Sequence, residues 1–130
     1  MKQVEVVAAV IQKNDKTLCV QRNTNKYDYI SLKYEFPGGK IESGESLHEA
    51  LIREIKEELK IDVEIVKKFL TVNHDYPDFK LIMHSFLCTT KDINLTLTEH
   101  VAFKWLNKNE LLDLDWAAAD LPIVQKLLSN

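Results

Sequence analysis

Three glutamates and an arginine crowd into the run Arg53-Glu54-Ile55-Lys56-Glu57-Glu58. On a helix, at about 100° per residue, Glu54, Glu57 and Glu58 fall within an arc of roughly 100° on one face. That arc borders an apolar stripe of Leu51, Ile52, Ile55 and Leu59, so the carboxylates stand near the edge of a core. Like charges this close repel, by a few tenths of a kcal/mol per pair on an exposed helix, and the C-terminal end of the helix dipole disfavours anions further. A cluster set against both effects suggests a compensating cation. Hard oxygen donors in that number suit Mg²⁺, or Mn²⁺ as a substitute. The competing reading is a solvated face, with Glu54–Lys60 and Glu49–Arg53 as ordinary surface pairs.

The helix that must carry these groups is legible on both sides. Ser46 and Glu49 match a capping box, and the helical period runs on to end near Lys60. Before it, Phe36-Pro37-Gly38-Gly39 favours a turn, and its glycines can bring backbone close to a phosphate or a metal. Val4–Ile11 reads as a largely buried strand, and Thr17–Gln21 follows it across the turn residues Asn14-Asp15-Lys16. Asn23–Lys33 has no helical period and reads as a loop. Val63–His74 and Phe79–Thr89 read as strands joined around Tyr76-Pro77-Asp78, and Val101–Leu106 as another. A short helix is expected over Glu110–Leu114, and a terminal one over Pro122–Leu128, with proline suited to a first turn. No repeat or linker interrupts the pattern. The 130 residues therefore predict one mixed α+β domain, a sheet with helices packed on it.

Composition narrows the function classes. The formal net charge is −3 and Lys67-Lys68 is an isolated pair, which argues against a reader of duplex nucleic acid. Free nucleotides remain open, because metal ions can neutralise their phosphates. No apolar run approaches the roughly 20 residues that span a bilayer. The basic start gives way at once to Gln3 and Glu5, without a signal-peptide core, so a cytoplasmic protein is expected. Cys19 and Cys88 each sit in an apolar, strand-like stretch and read as reduced core residues. His48, His74, His84 and His100 share no metal-ligand spacing and read as structural or exposed, and Trp105 and Trp116 as core or pocket lining.

Gly39, Glu45, Arg53, Glu54, Ile55, Glu57, Glu58 and Ile61 fit the Nudix box G-x5-E-x7-R-E-U-x-E-E-x-G-U, where U is bulky and aliphatic. Lys60 stands where the pattern has glycine. A glycine there would adopt the left-handed conformation just past the helix end, which costs lysine roughly 1 kcal/mol. The segment Tyr34-Glu35-Phe36-Pro37-Gly38-Gly39-Lys40-Ile41-Glu42 resembles the opening of the box in MutT-type enzymes and the CTP pyrophosphohydrolase group. Trp116-Ala117-Ala118-Ala119-Asp120-Leu121-Pro122-Ile123 is similar to a C-terminal stretch of the same group.

The resemblance implies a Nudix fold over residues 1–130, a mixed β-sheet packed between helices in an α/β/α sandwich. It implies that Glu54, Glu57 and Glu58 bind catalytic Mg²⁺ ions with the Gly38 carbonyl, that the distal Glu99 joins them, and that Arg53 orients the glutamates. Glu45 matches the first box glutamate, whose role is structural or that of a base. Glu54, Glu57 and Glu45 are all candidates for the base, and spacing does not choose among them. The implied reaction is attack on the β-phosphorus of a nucleoside triphosphate, giving monophosphate and pyrophosphate, with (d)CTP-like nucleotides and 8-oxo-dGTP as the chief substrates. Asp120 occupies the place of a residue that meets the base edge, or else caps the last helix ahead of Pro122. Arg22 and Lys33 are candidate contacts to phosphate or base, and Phe36 and Tyr34 candidate walls of the base pocket. Competing readings are a hydrolase of ADP-ribose, a dinucleotide or a capped nucleic acid, and a Nudix-fold binding module without catalysis. The latter would be expected to lose box glutamates, which this chain keeps. Neither a membrane nor duplex nucleic acid is an expected partner; a monomer and a homodimer are both open.

Overall fold

A computed structural model describes residues 1–92 and 94–130. The chain runs β1 (Lys2–Lys13), β2 (Lys16–Gln21), β3 (Tyr34–Glu35), β4 (Gly38–Lys40), α1 (Leu47–Leu59), β5 (Glu64–Asp75), β6 (Phe79–Thr89), β7 (Ala102–Leu106) and α2 (Leu121–Ser129). Short 3₁₀ turns occupy Lys108–Asp113 and Ala118–Asp120. The main path of the sheet is β3-β2-β1-β6-β5, with β4 also paired to β1 and β7 to β2. β1 and β6 lie parallel, and the other strand pairs are antiparallel.

β1 is central because its residues are apolar on both faces and alternate between them. Ala8 and Val10 join Phe69, Val72, Met83 and Trp116 beneath α2, while Val7, Ala9 and Ile11 meet Leu51, Ile55 and Leu59 of α1. The sheet is thus covered on both sides, the α/β/α layering expected. Asn14 and Asp15 form a two-residue hairpin loop between Lys13 and Lys16, both with positive φ, as such loops require.

Three local expectations change. The Phe36–Gly39 turn is in part strand: Gly38 and Gly39 pair with Ala8 and Val7 on β1. Nothing in the local pattern marks so short a strand; the close approach to β1 creates it. A Cβ on Gly38 would stand 1.9 Å from the Val7 carbonyl oxygen, so only glycine fits. Ile52, read as part of the apolar stripe, is 45% exposed, because α1 presses on the sheet through Ala50, Leu51, Ile55 and Leu59. The helix expected at Glu110–Leu114 is a 3₁₀ segment over Lys108–Asp113. Lys60 does adopt the left-handed conformation, φ 59° and ψ 35°, and its N–H donates to the Lys56 carbonyl. Both cysteines are buried and free.

Candidate active site

α1 is held at its start by the reciprocal bonds of Ser46 and Glu49, 3.1 Å and 2.9 Å. Glu49 is thereby engaged at the cap rather than with Arg53. Arg53 points instead to the acidic residues around the helix. Its Nε and Nη2 meet both Glu45 oxygens at 2.6 and 2.9 Å, and its Nη1 meets Glu54 at 2.9 Å and Glu57 at 3.1 Å. Nη2 also donates to the Lys40 carbonyl at 3.1 Å. One guanidinium therefore ties α1, the loop before it and β4 together, as only its planar fork of five donors can. Its proton is held far more tightly than usual, while Glu45 is held below the usual carboxylate range by the same contact.

Next along the carboxylate arc, Glu58 turns inward. It is 5% exposed and its Oε1 is buried without a hydrogen-bond partner. Burial, then the charges of Glu35, Glu54 and Glu99, push its carboxyl up to about 9. Glu54 lies against Gly39: a Cβ there would come 2.4 Å from its Oε2. Thr98 closes the end of α1, its N–H and hydroxyl donating to the Glu58 carbonyl and its hydroxyl also reaching the Glu57 carbonyl. That cap delivers Glu99 beside Glu58.

Glu54, Glu58, Glu99 and Gly38 line a cleft of about 800 Å³. Phe36, Tyr76, Met83 and Asp120 line it as well. Phe36 stacks on Trp116 at 4.8 Å, and Tyr34, the other aromatic of that segment, is core. Asp120 stands at the N-cap position of α2, but its side chain makes no capping bond. Its Oδ1 accepts the Phe36 N–H at 3.0 Å across the fold, and burial, then the charge of Glu35, raises its carboxyl well above the ordinary aspartate range. Arg22 reaches the cleft and pairs with Glu35 at 3.2 Å. Lys33 does not line it: its ammonium pairs with Asp115 at 2.8 Å. Glu45, Arg53 and Glu57 do not line the cleft; the Arg53 Nη1 that bonds Glu54 also holds Glu57 next to it.

Two residues that the sequence did not offer as candidates for the site, one of them a histidine read as structural or exposed, also line the cleft. Glu35 is bonded through Oε1 to Arg22 and through Oε2 to His100 at 3.0 Å, and its charge is felt by Glu58, Tyr76 and Asp120 alike. Its position just before Phe36 was the available signal. His100 carried no signal from spacing.

The chemistry of the acidic set suits a divalent cation: hard oxygens only, one of them buried and orphaned, and a glycine cradle leaving room at Glu54. Among the described residues no three acidic or histidine side chains already converge at coordination distance, since Arg53 draws Glu54 and Glu57 toward itself. The fit is one of donor type and placement.

The sequence matches the NUDIX domain family over residues 1–127. It is 35% identical to the CTP pyrophosphohydrolase of Escherichia coli K12, covering 99% of this chain and 94% of that protein. It is 36% identical to the 8-oxo-dGTP diphosphatase of Proteus vulgaris, over 73% of this chain and 84% of that one. The solution structure of the MutT protein (family Nudix hydrolase) from methicillin-resistant Staphylococcus aureus 252 superposes with a TM-score of 0.76 at 40% identity, covering 99% of this chain and 98% of that one. Likeness of this depth over nearly every residue, joined to a glutamate helix folded as described, leaves one conclusion: the chain belongs to the NUDIX family and is a Nudix hydrolase.

Proposed function

We propose that the protein is a Mg²⁺-dependent nucleoside triphosphate pyrophosphohydrolase, acting on (d)CTP-like or 8-oxo-dGTP-like nucleotides and releasing monophosphate and pyrophosphate. The observation that carries this is the buried Glu58 carboxyl, its Oε1 without a partner, beside Glu54, Glu99 and Glu35 in a cleft that Phe36 and Asp120 also line. The relatives named CTP pyrophosphohydrolase and 8-oxo-dGTP diphosphatase support the same substrate class.

Glu54, Glu57, Glu58, Glu99 and the Gly38 carbonyl are the groups that would hold the cation. When bound, Mg²⁺ would supply the positive charge that makes an anionic phosphate chain attackable and its departing monophosphate stable. Arg53 fixes the directions of Glu54 and Glu57. Glu45 has both oxygens on Arg53 and accepts the Glu42 N–H at 2.8 Å, so it serves as support rather than as base. That leaves Glu54 and Glu57 to take the proton of the attacking water. The water oxygen bonds to the β-phosphorus, the bridge to the α-phosphate breaks, and the bridging oxygen leaves with the monophosphate. Burial raises the Asp120 carboxyl well above the ordinary aspartate range, and in its protonated form it would offer both a donor and an acceptor to a base edge, as an amide does.

The test is a panel of CTP, dCTP, 5-methyl-dCTP, 8-oxo-dGTP, dGTP and ADP-ribose with Mg²⁺, following monophosphate and pyrophosphate. Triphosphate cleavage abolished by chelation and by Glu58→Gln is expected. A preference for ADP-ribose, or cleavage that survives chelation, would overturn the proposal.

A further inference from the structure

We propose that His100, acting through Glu35, is a positioning residue that aims Glu99 into the metal-binding set; this rests on the metal-dependent reading above. The segment bearing Glu99 is fastened on both sides by backbone. Upstream, the Thr96 N–H donates to Leu59 at 3.0 Å and that of Thr98 to Glu58 at 3.1 Å; downstream, the Val101 N–H donates to Gln21 at 3.0 Å. Between these anchors only Glu99 and His100 remain. Glu99 is exposed and, among the described residues, makes no hydrogen bond or ion pair of its own. No contact of its own aims its carboxylate, which leaves the backbone anchors and the side chain of His100 to hold the segment that carries it.

His100 is suited to that role. Its side chain is 5% exposed, Nδ1 is sealed without a partner, and Nε2 lies 3.0 Å from Glu35. The tautomer that satisfies this pair carries hydrogen on Nε2 and donates it to the carboxylate. An apolar side chain would fill the same space without stranding a ring nitrogen, so what the imidazole adds is the bond to Glu35. Glu35 is itself fixed, through its pairing with Val20 on β2 and through Arg22 on its other oxygen. With one oxygen on each partner, Glu35 acts as a strut and stays out of the ligand set, although its charge is felt by Glu58.

The experiment is Mn²⁺ binding to the substrate-free protein, read by electron paramagnetic resonance. His100→Gln and His100→Met are compared with wild type, each with Glu99 intact and in a Glu99→Gln background. Gln keeps an N–H near the Nε2 position; Met keeps length without a donor. His100→Met should weaken Mn²⁺ binding about 10- to 100-fold with Glu99 present, as loss of an outer hydrogen bond at a metal site does, and His100→Gln should restore most of it. In the Glu99→Gln background the Met change should cost no more than about 2-fold, the limit expected of an independent site. Equal losses in both backgrounds, or none in a folded Met variant, would overturn the role. Wild-type protein that binds no Mn²⁺, or binds it equally after Glu57→Gln, would instead sink the metal reading. Should the Met variant not fold, imidazole ¹⁵N–¹H spectra decide: His100 resonances should move on Mg²⁺ addition in wild type but not in Glu99→Gln, and equal movement in both refutes the coupling.

Discussion

Gly39→Ala adds one methyl group, and the structure says where it goes. The new Cβ would lie 2.4 Å from Oε2 and 2.5 Å from Cδ of Glu54. Ordinary contact begins near 3.4 Å, so the carboxylate must retreat by about 1 Å. Glu54 can do so, because it is a side chain with a cleft beside it, and the cost in stability should stay within about 1 kcal/mol, or roughly 5 °C in Tm for a domain of this size. The chemistry should be less tolerant: a misplacement of about 1 Å at a reacting centre costs on the order of 100-fold, near 2.7 kcal/mol of barrier. Gly44→Ala is the matched control. Gly44 has φ +86° with nothing within 4 Å of its would-be Cβ, so alanine there is strained but touches nothing. It should lose about 1 kcal/mol of stability while kcat stays near wild type. Pyrophosphate release under saturating nucleotide, beside thermal melts of both variants, separates the two effects. Wild-type kcat in a folded Gly39→Ala protein, or an equal loss of kcat in Gly44→Ala, would refute the view that Glu54 must sit against the glycine.

In the absence of divalent cations, stability should fall as pH rises from about 4.5 to about 9, because the folded protein keeps a proton on Glu58 that the unfolded chain releases. Asp120 is shifted the same way, so melts in chelator should show a downward slope that Glu58→Gln reduces but does not abolish; an unchanged slope would contradict the shift. Arg53→Lys cannot reproduce contacts to Glu45, Glu54, Glu57 and the Lys40 carbonyl, and is expected to lower kcat about 10- to 100-fold and stability by about 1–3 kcal/mol, measured by the same assay and melts. Lys60→Gly relieves the left-handed conformation at φ 59° and should raise stability by up to about 1 kcal/mol with activity untouched; a drop in Tm would show that the lysine charge at the helix end matters more. Asp120→Asn preserves a donor and an acceptor and should keep KM within several-fold, whereas Asp120→Ala should raise it at least 10-fold, since a base edge is then left unpaired.

The helix of the site was legible residue by residue because its signals are local. The cap at Ser46 and Glu49, the stripe of Leu51, Ile55 and Leu59, the shared face of three glutamates and the left-handed Lys60 all depend on neighbours within a turn or two. The long strands were legible for the same reason, through β-branched and apolar runs. What spacing could not decide is which way the edge of that helix faces. The exposure of Ile52 and the burial of Glu58 follow from how α1 lies on the sheet. Pairings between distant segments likewise have no local signature. β3 and β4 exist only because β2 and β1 accept them, Asp120 serves Phe36 across the fold rather than its own helix, Lys33 is drawn to Asp115, and Glu35 gathers Arg22 and His100 from two other segments. Periodicity within a segment determines which residues share a face. Strand order and packing determine which faces meet, and the electrostatics of the cleft arise only there, where burial makes each unpartnered charge expensive.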